Sequence, residues 1–169
     1  SIEGLRSSGV PWTLISPCSV METSLLPMAP WIRETGELYG ISGHGKVGMV
    51  ALGDVAEVAA TVLTSDGHDG KNYELTGPCA FDLFEAAEVL SKVIGRRVRY
   101  VDLPDGVFAR MLVEQAGFTA EAAELQVLCH LRLWRAGKAE KVTDAIRELT
   151  GRAPTSLEDF FRRHAALFR

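Results

Sequence analysis

The sequence is poor in several features, and each shortage excludes a class of protein. Only three cysteines occur among the 169 residues. Cys18, Cys79 and Cys129 are far apart and form no Cys-x-x-Cys pair, which argues against a disulfide framework, a zinc ribbon or a dithiol redox site and fits reduced intracellular thiols. No apolar run reaches the roughly 18 residues of a membrane span, and the chain does not open on a basic segment followed by an apolar stretch. A cytoplasmic location without membrane contact is therefore expected. Positive charge is in the minority, with 18 Lys and Arg against 22 Asp and Glu and a net charge of −4. Nothing electrostatic calls for nucleic acid or an anionic surface. The basic run Arg96-Arg97-Val98-Arg99 alternates around an apolar residue and reads as the solvated face of a strand rather than a phosphate patch. Histidine is scarce, at four residues. No Ser-His-Asp set can be assembled without assuming geometry, and Asp66, His68 and Asp69 supply too few ligands for a metal site. No Tyr-x-x-x-Lys pair, repeat or low-complexity tract is present.

What remains, 47% hydrophobic and 24% charged, is the make-up of one globular domain, long enough to bury roughly two thirds of its unfolded surface. The pattern along it alternates. Ile2, Leu5 and Ser8-Gly9 read as the last turns of a helix ending at a glycine; starting at Ser1, such a helix leads us to expect a truncated chain. Pro11 to Ile15 is a short apolar run suited to a buried parallel strand, followed by a loop over Cys18 to Thr23. A Pro-interrupted stretch from Ser24 to Glu34 leads to two strand candidates, Glu37 to Ile41 and Val47 to Leu52. Asp54 is a good helix N-cap, and Val55, Val58, Ala59, Val62 and Leu63 share one apolar face. Asn72 to Leu75 reads as a strand. Asp82 and Glu85 have capping-box spacing ahead of a stripe made by Leu83, Ala86, Ala87, Leu90, Val93 and Ile94, and a strand follows over Val98 to Leu103. From Asp105 the pattern is helical: 106–116, 119–136, 142–150, and a last helix from Ser156, with capping-box spacing from Thr155 to Glu158. The expected fold is α/β, partial Rossmann-like, with a mostly parallel sheet in residues 1–103 and a C-terminal helical lobe in 104–169 that carries substrate contacts.

Gly43-His44-Gly45-Lys46-Val47-Gly48 matches the G-x-G-x-x-G pattern of dinucleotide sites. That mechanism needs a strand before the motif and a helix opening within it. Here a strand follows and the helix begins only at Asp54, so a turn is the better reading. Ligands of open α/β sheets sit beyond the carboxyl ends of the strands, which points to Pro17, Cys18, Ser19, Val20 and Met21, with cover from Trp31, as a substrate-binding set. Met21 suits an adaptable apolar wall, and Cys18 reads as a packing thiol rather than a nucleophile. A plain connecting loop is the competing reading of the segment. His44 and His68 fall in glycine-rich turns, where solvent-exposed histidines are common; His164 lies on an apolar face with Phe160, Phe161 and Phe168 and reads as a hydrogen-bonded packing residue. Periodicity cannot separate pocket from core for Trp31, Phe118 and Trp134. Catalytic and cofactor-contacting residues are not assigned.

Four stretches, in order, resemble the NmrA-like atypical short-chain dehydrogenase/reductase family: Ser8-Gly9 with Pro11-Trp12-Thr13-Leu14 and Pro17; Asp54-Val55-Ala56; Tyr73-Glu74-Leu75-Thr76-Gly77-Pro78; and Leu149-Thr150-Gly151-Arg152-Ala153-Pro154-Thr155-Ser156. The resemblance implies the C-terminal, substrate-side portion of a Rossmann-type protein that uses NADP or NAD. It also implies an N-terminal half with a glycine-rich phosphate turn, so that 1–169 is not expected to bind the nucleotide alone. The chain departs from the family pattern at Ser16, where Arg is usual, at Ser19, Val20 and Thr23, where aromatic residues and Asn are, and at Ala51, where an acidic residue is. Three functions stay open: the substrate-binding portion of an NAD(P)H-dependent oxidoreductase acting on a small organic molecule, an NAD(P)-sensing regulator without turnover, and a pocket-only enzyme of isomerisation or cyclisation. A homo-oligomer or a partner chain covering the exposed sheet edge is expected with any of them.

Overall fold

A computed structural model describes residues 2–169; Ser1 lies outside the described residues. The first helix, α1 (Ile2–Ser7), precedes Gly9, which adopts a left-handed φ of 71°. The strand expected at Pro11 to Ile15 is shifted by two residues to β1 (Thr13–Pro17), because Trp12 uses its N–H on the Asp69 carboxylate. The expected loop after it instead holds β2 (Ser19–Val20) and the short helix α2 (Met21–Leu25). A single 3-10 turn, Leu26–Met28, joins α2 to α3 (Ala29–Thr35), which stops at Gly36 with φ 73°.

The two middle strands are β3 (Glu37–Gly40) and β4 (Met49–Val50). They do not pair with each other. β4 runs parallel to β2, while β3 runs parallel to β6 (Arg99–Asp102), and β1 is parallel to β5 (Lys71–Leu75) with Thr13 opposite Lys71 and Pro17 opposite Leu75. All three strand pairs are parallel, so each needs a crossover long enough to carry a helix. The β2–β4 crossover carries α2 and α3, that from β1 to β5 also includes α4 (Leu52–Thr64), and that from β3 to β6 includes α4 and α5 (Leu83–Ile94). The result is the expected α/β architecture of parallel strands and covering helices, followed by the helical region α6 (Asp105–Glu114), α7 (Ala120–Ala123), α8 (Cys129–Arg135), α9 (Ala145–Thr150) and α10 (Leu157–Phe168).

Local chemistry accounts for the helix ends. Asp82 caps α5 with both halves of the box present: its Oδ1 accepts from Glu85 N at 2.8 Å and its own N–H donates to Glu85 Oε2 at 2.9 Å. At α10 the cap falls one residue later than the spacing implies. Ser156, not Thr155, accepts from the Asp159 N–H at 3.1 Å, because Thr155 is buried against Asp54. Asp54 likewise is not the N-cap of α4. The helix starts at Leu52 with Ala51 as cap residue, and Asp54 sits buried in the first turn. The α4 face is also narrower than its periodicity implies: Val58 is fully buried, whereas Leu63 is 84% exposed.

Most of the core is a single cluster in which Ile32, Ile41, Met49 and Leu90 meet Phe108, Phe160, Phe161 and Phe168. A smaller cluster of Val50, Val58, Leu75 and Ile146 lies beneath β1 and β5. All three arginines of the run are exposed around buried Val98, as expected, but only Arg99 lies in a strand. Arg96 donates to the carbonyls of Ile32, Arg33 and Phe168, tying α3 to the end of α10, and Arg99 pairs with Glu37 on the neighbouring strand.

Candidate functional site

The carboxyl end of β1 delivers the chain to a cavity of about 400 Å³. Cys18, Ser19 and Val20 line it directly; Thr23 and Ser24 follow from α2, and Trp31 enters from α3. Its far side is built by the helical region, with Phe108 and Leu112 from α6, Phe118 from the following loop, and Leu131 and Trp134 from α8. Trp31 is held edge-on between Tyr39 of β3 and Phe108, with ring centroids 5.8 Å and 6.2 Å apart. Edge-to-face contacts of this kind fix ring orientation, so the cavity has a rigid aromatic wall.

Four of the six residues singled out from sequence therefore meet at the cavity: Cys18, Ser19, Val20 and Trp31. Pro17 and Met21 do not line it. Pro17 is exposed at the end of β1. Met21 is fully buried in the main core; as the first residue of α2 it turns inward, which corrects its assignment as an adaptable pocket wall.

The helix from 120 to 135 is not regular. Between α7 and α8 lies one π-helical turn, Glu124–Leu128. The extra residue in such a turn rotates the positions that follow it. Gln126, Val127, His130, Leu131 and Trp134, spaced as on one helical face, line the cavity together. Gln126 and His130 were missed in the sequence because polar residues in the middle of an amphipathic helix read as its solvent side. Their spacing with Val127, Leu131 and Trp134, at i, i+1, i+4, i+5 and i+8, was the available signal.

The polar groups on the wall differ in their freedom. Tyr39 donates its hydroxyl to Glu37 Oε2 at 2.6 Å, which, together with burial, pushes its pKa up. Burial also pushes up the Cys18 thiol, although the residue as a whole is exposed; its sulfur faces the Ala139 carbonyl at 3.7 Å. Thr23 donates to the Val20 carbonyl at 3.1 Å. The His130 side chain makes no hydrogen bond or ion pair with any described residue and is open to solvent at the cavity wall.

The other histidines are placed elsewhere. His44 is exposed, stacks on Phe84 and contacts Asp82 at 3.0 Å. His68 bridges Ser65 and Tyr73, and His164 bonds the Phe160 carbonyl within α10. No group of three potential metal ligands occurs among the described residues. No described helix is long and apolar enough to cross a membrane.

The G-x-G-x-x-G segment is a packing device. A Cβ at Gly45 would lie 2.1 Å from the Trp134 carbonyl oxygen, and one at Gly48 would lie 2.4 Å from that of Lys141. Gly48 N donates to the Ala139 carbonyl at 2.9 Å. These glycines admit the backbone of the helical region, so the space a pyrophosphate would need is filled by protein. No helix opens within the motif. The segment therefore does not fit a nucleotide phosphate.

No protein-family model matches the chain. Curated relatives do. It is 36% identical over 166 residues to the (4-alkanoyl-5-oxo-2,5-dihydrofuran-3-yl)methyl phosphate reductase of Streptomyces griseus, covering 98% of this chain and 57% of that protein. It is 34% identical over 164 residues to the NAD(P)H azoreductase of Xenophilus azovorans, covering 97% and 56%. Among solved structures, the NADPH complex of an NADPH-dependent quinone oxidoreductase from Escherichia coli superposes with a TM-score of 0.87 at 29% identity, over 98% of this chain and 57% of that one. The NADP(H) complex of a Citrobacter sp. triphenylmethane reductase gives a TM-score of 0.87 at 26% identity, over 97% and 56%. The fold is thus the Rossmann-like α/β fold of NAD(P)-dependent reductases. The chain spans a little over half the length of these relatives.

Proposed function

We propose that residues 1–169 are the C-terminal, substrate-side portion of an NmrA-like NAD(P)H-dependent oxidoreductase, and that its cavity binds a small, planar organic substrate. One observation carries this reading: a rigid aromatic-walled cavity stands at the carboxyl end of β1, where parallel α/β sheets place their ligands. Cys18, Ser19, Val20 and Trp31 contact the substrate in this reading, joined by Tyr39, Phe108, Gln126 and His130. Support for the redox class comes from relatives whose names specify reduction with NADPH or NAD(P)H. The reduced nicotinamide supplies the electrons when bound, and its phosphates are held by a region other than the described residues, since the one glycine motif is filled by protein backbone. The cavity then serves to orient the substrate and exclude water. The outer edge of β1, which pairs only with β5 among the described residues, is the surface that the cofactor-binding portion or a partner chain covers. A cytoplasmic location belongs to the same reading.

Equilibrium titration of the 169-residue chain, followed by tryptophan fluorescence, tests the assignment. The neutral quinone 1,4-naphthoquinone is expected to bind and quench the signal, while NADPH over the same range leaves a calorimetric trace flat. Micromolar NADPH affinity would show that the nucleotide site lies within this chain, and absence of quinone binding would remove the substrate assignment.

A further inference from the structure

We infer that His130, together with Gln126, forms a polar recognition end of the cavity that selects planar ligands carrying an ionised ring oxygen, such as an enolate or phenolate. The inference rests on the substrate-cavity reading and adds a chemical class to it.

The cavity is apolar over most of its wall, so a few polar groups decide which ligands it prefers. Most of them are already engaged. Tyr39 donates its only proton to Glu37, Thr23 donates to a backbone carbonyl, and Cys18 presents a thiol whose ionisation burial opposes. His130 is different: its ring has no partner among the described residues, so a ring N–H is free to donate to an anionic oxygen. Gln126 supplies an amide one helical turn earlier on the same wall.

Two acidic side chains on the neighbouring elements are already paired. On α6, Asp105 accepts from Arg132 and Arg135; on the π-turn, Glu124 accepts from Arg132. Asp105 and Glu124 are thereby held by arginines that stand on α8, the helix of His130, whereas Glu114 of α6 and Glu121 of α7 make no ion pair among the described residues. Arg110 and Glu114 of α6 complete the charged groups of that helix. Gln126, His130 and Trp134, four residues apart in turn, share one wall of the cavity.

Two probes of nearly the same shape separate the possibilities: 2-hydroxy-1,4-naphthoquinone, which is an anion at neutral pH, and neutral 1,4-naphthoquinone. The unaltered chain is expected to bind the anion more tightly and to show a shift of the His130 C2 proton resonance with the anion. In His130→Gln the anion should lose about tenfold in affinity, the scale of one charge-assisted hydrogen bond, with the neutral quinone changed little. His130 is exposed, so the variant should fold; His130→Asn provides a second. Equal binding of both probes by both proteins, with the C2 proton unmoved, would overturn the role of His130 and leave the cavity assignment standing. Failure of both probes to bind the unaltered chain would overturn the cavity assignment and this inference with it.

Discussion

Asp54 and Thr155, 101 positions apart, are joined twice: Asp54 Oδ2 accepts from the Thr155 N–H at 2.7 Å and Oδ1 from its hydroxyl at 3.1 Å. Arg152 adds an ion pair to the same carboxylate at 2.9 Å and also reaches Glu57. The Asp-Val-Ala stretch and the Thr-Gly-Arg-Ala-Pro-Thr stretch, two separate sequence markers, are therefore the two halves of one tether between α4 and the start of α10. A buried carboxylate is tolerated here because every approach to it is a donor.

Removing that carboxylate leaves the Thr155 N–H and hydroxyl buried without an acceptor. Asp54→Ala is expected to destabilise the chain by about 3 kcal/mol, and Thr155→Ala, which keeps the N–H contact, by about 1 kcal/mol. Urea denaturation of both variants measures this. Equal small losses would mean that water replaces the tether.

Glycine substitutions should diverge in sign. Gly45→Ala places a methyl group against the Trp134 carbonyl at 2.1 Å, and backbone must move to admit it, at a cost of about 1–3 kcal/mol. Gly53→Ala, in the first turn of α4 with nothing within 4 Å of the new atom, is expected to stabilise by about 0.5 kcal/mol through reduced chain entropy. Thermal melts of the two variants should shift in opposite directions.

The acid limb of stability should depend on Asp82. Burial pushes its carboxyl up, but hydrogen bonds from the Glu85 N–H, from His44 and from the Phe84 N–H outweigh that, and its pKa is lowered. A lowered folded-state pKa contributes stability that is fully present above the unfolded value, near 3.9, and is lost as pH falls through the folded one. Asp82→Ala should therefore cost about 1 kcal/mol at neutral pH and progressively less in acid. Urea midpoints across pH 2 to 7, roughly the window set by the unfolded value, give the test: parallel curves for the two proteins would remove Asp82 from the acid response.

Wall and core should separate in mutagenesis. Gln126 is exposed and lines the cavity, whereas Met21 is fully buried and does not. Gln126→Trp is expected to abolish 1,4-naphthoquinone binding while altering stability by no more than about 0.5 kcal/mol. Met21→Ala should instead cost about 2–5 kcal/mol. Loss of stability in both would show that the π-turn is core rather than cavity wall.

Short-range chemistry was legible in the sequence. The Asp82–Glu85 box and the stripe of α5 follow from propensities and spacings that act within one or two turns. So did the rejection of the Gly43–Gly48 motif, since a phosphate turn requires a helix that the pattern places too late. Alternation of strands and helices was enough to anticipate parallel pairing. Tertiary contact decided the rest. Asp54 and Thr155 both look like caps locally, yet neither caps its helix, because each satisfies the other from across the chain. Met21 and Val20 are adjacent in sequence and equally apolar, but the start of α2 sends one into the core and leaves the other at the cavity. Gln126 and His130 keep helical spacing with Val127, Leu131 and Trp134, but that this face of the helix adjoins a cavity was decided only by the packing of α3, α6 and α8 around it, contacts between residues far apart in the chain.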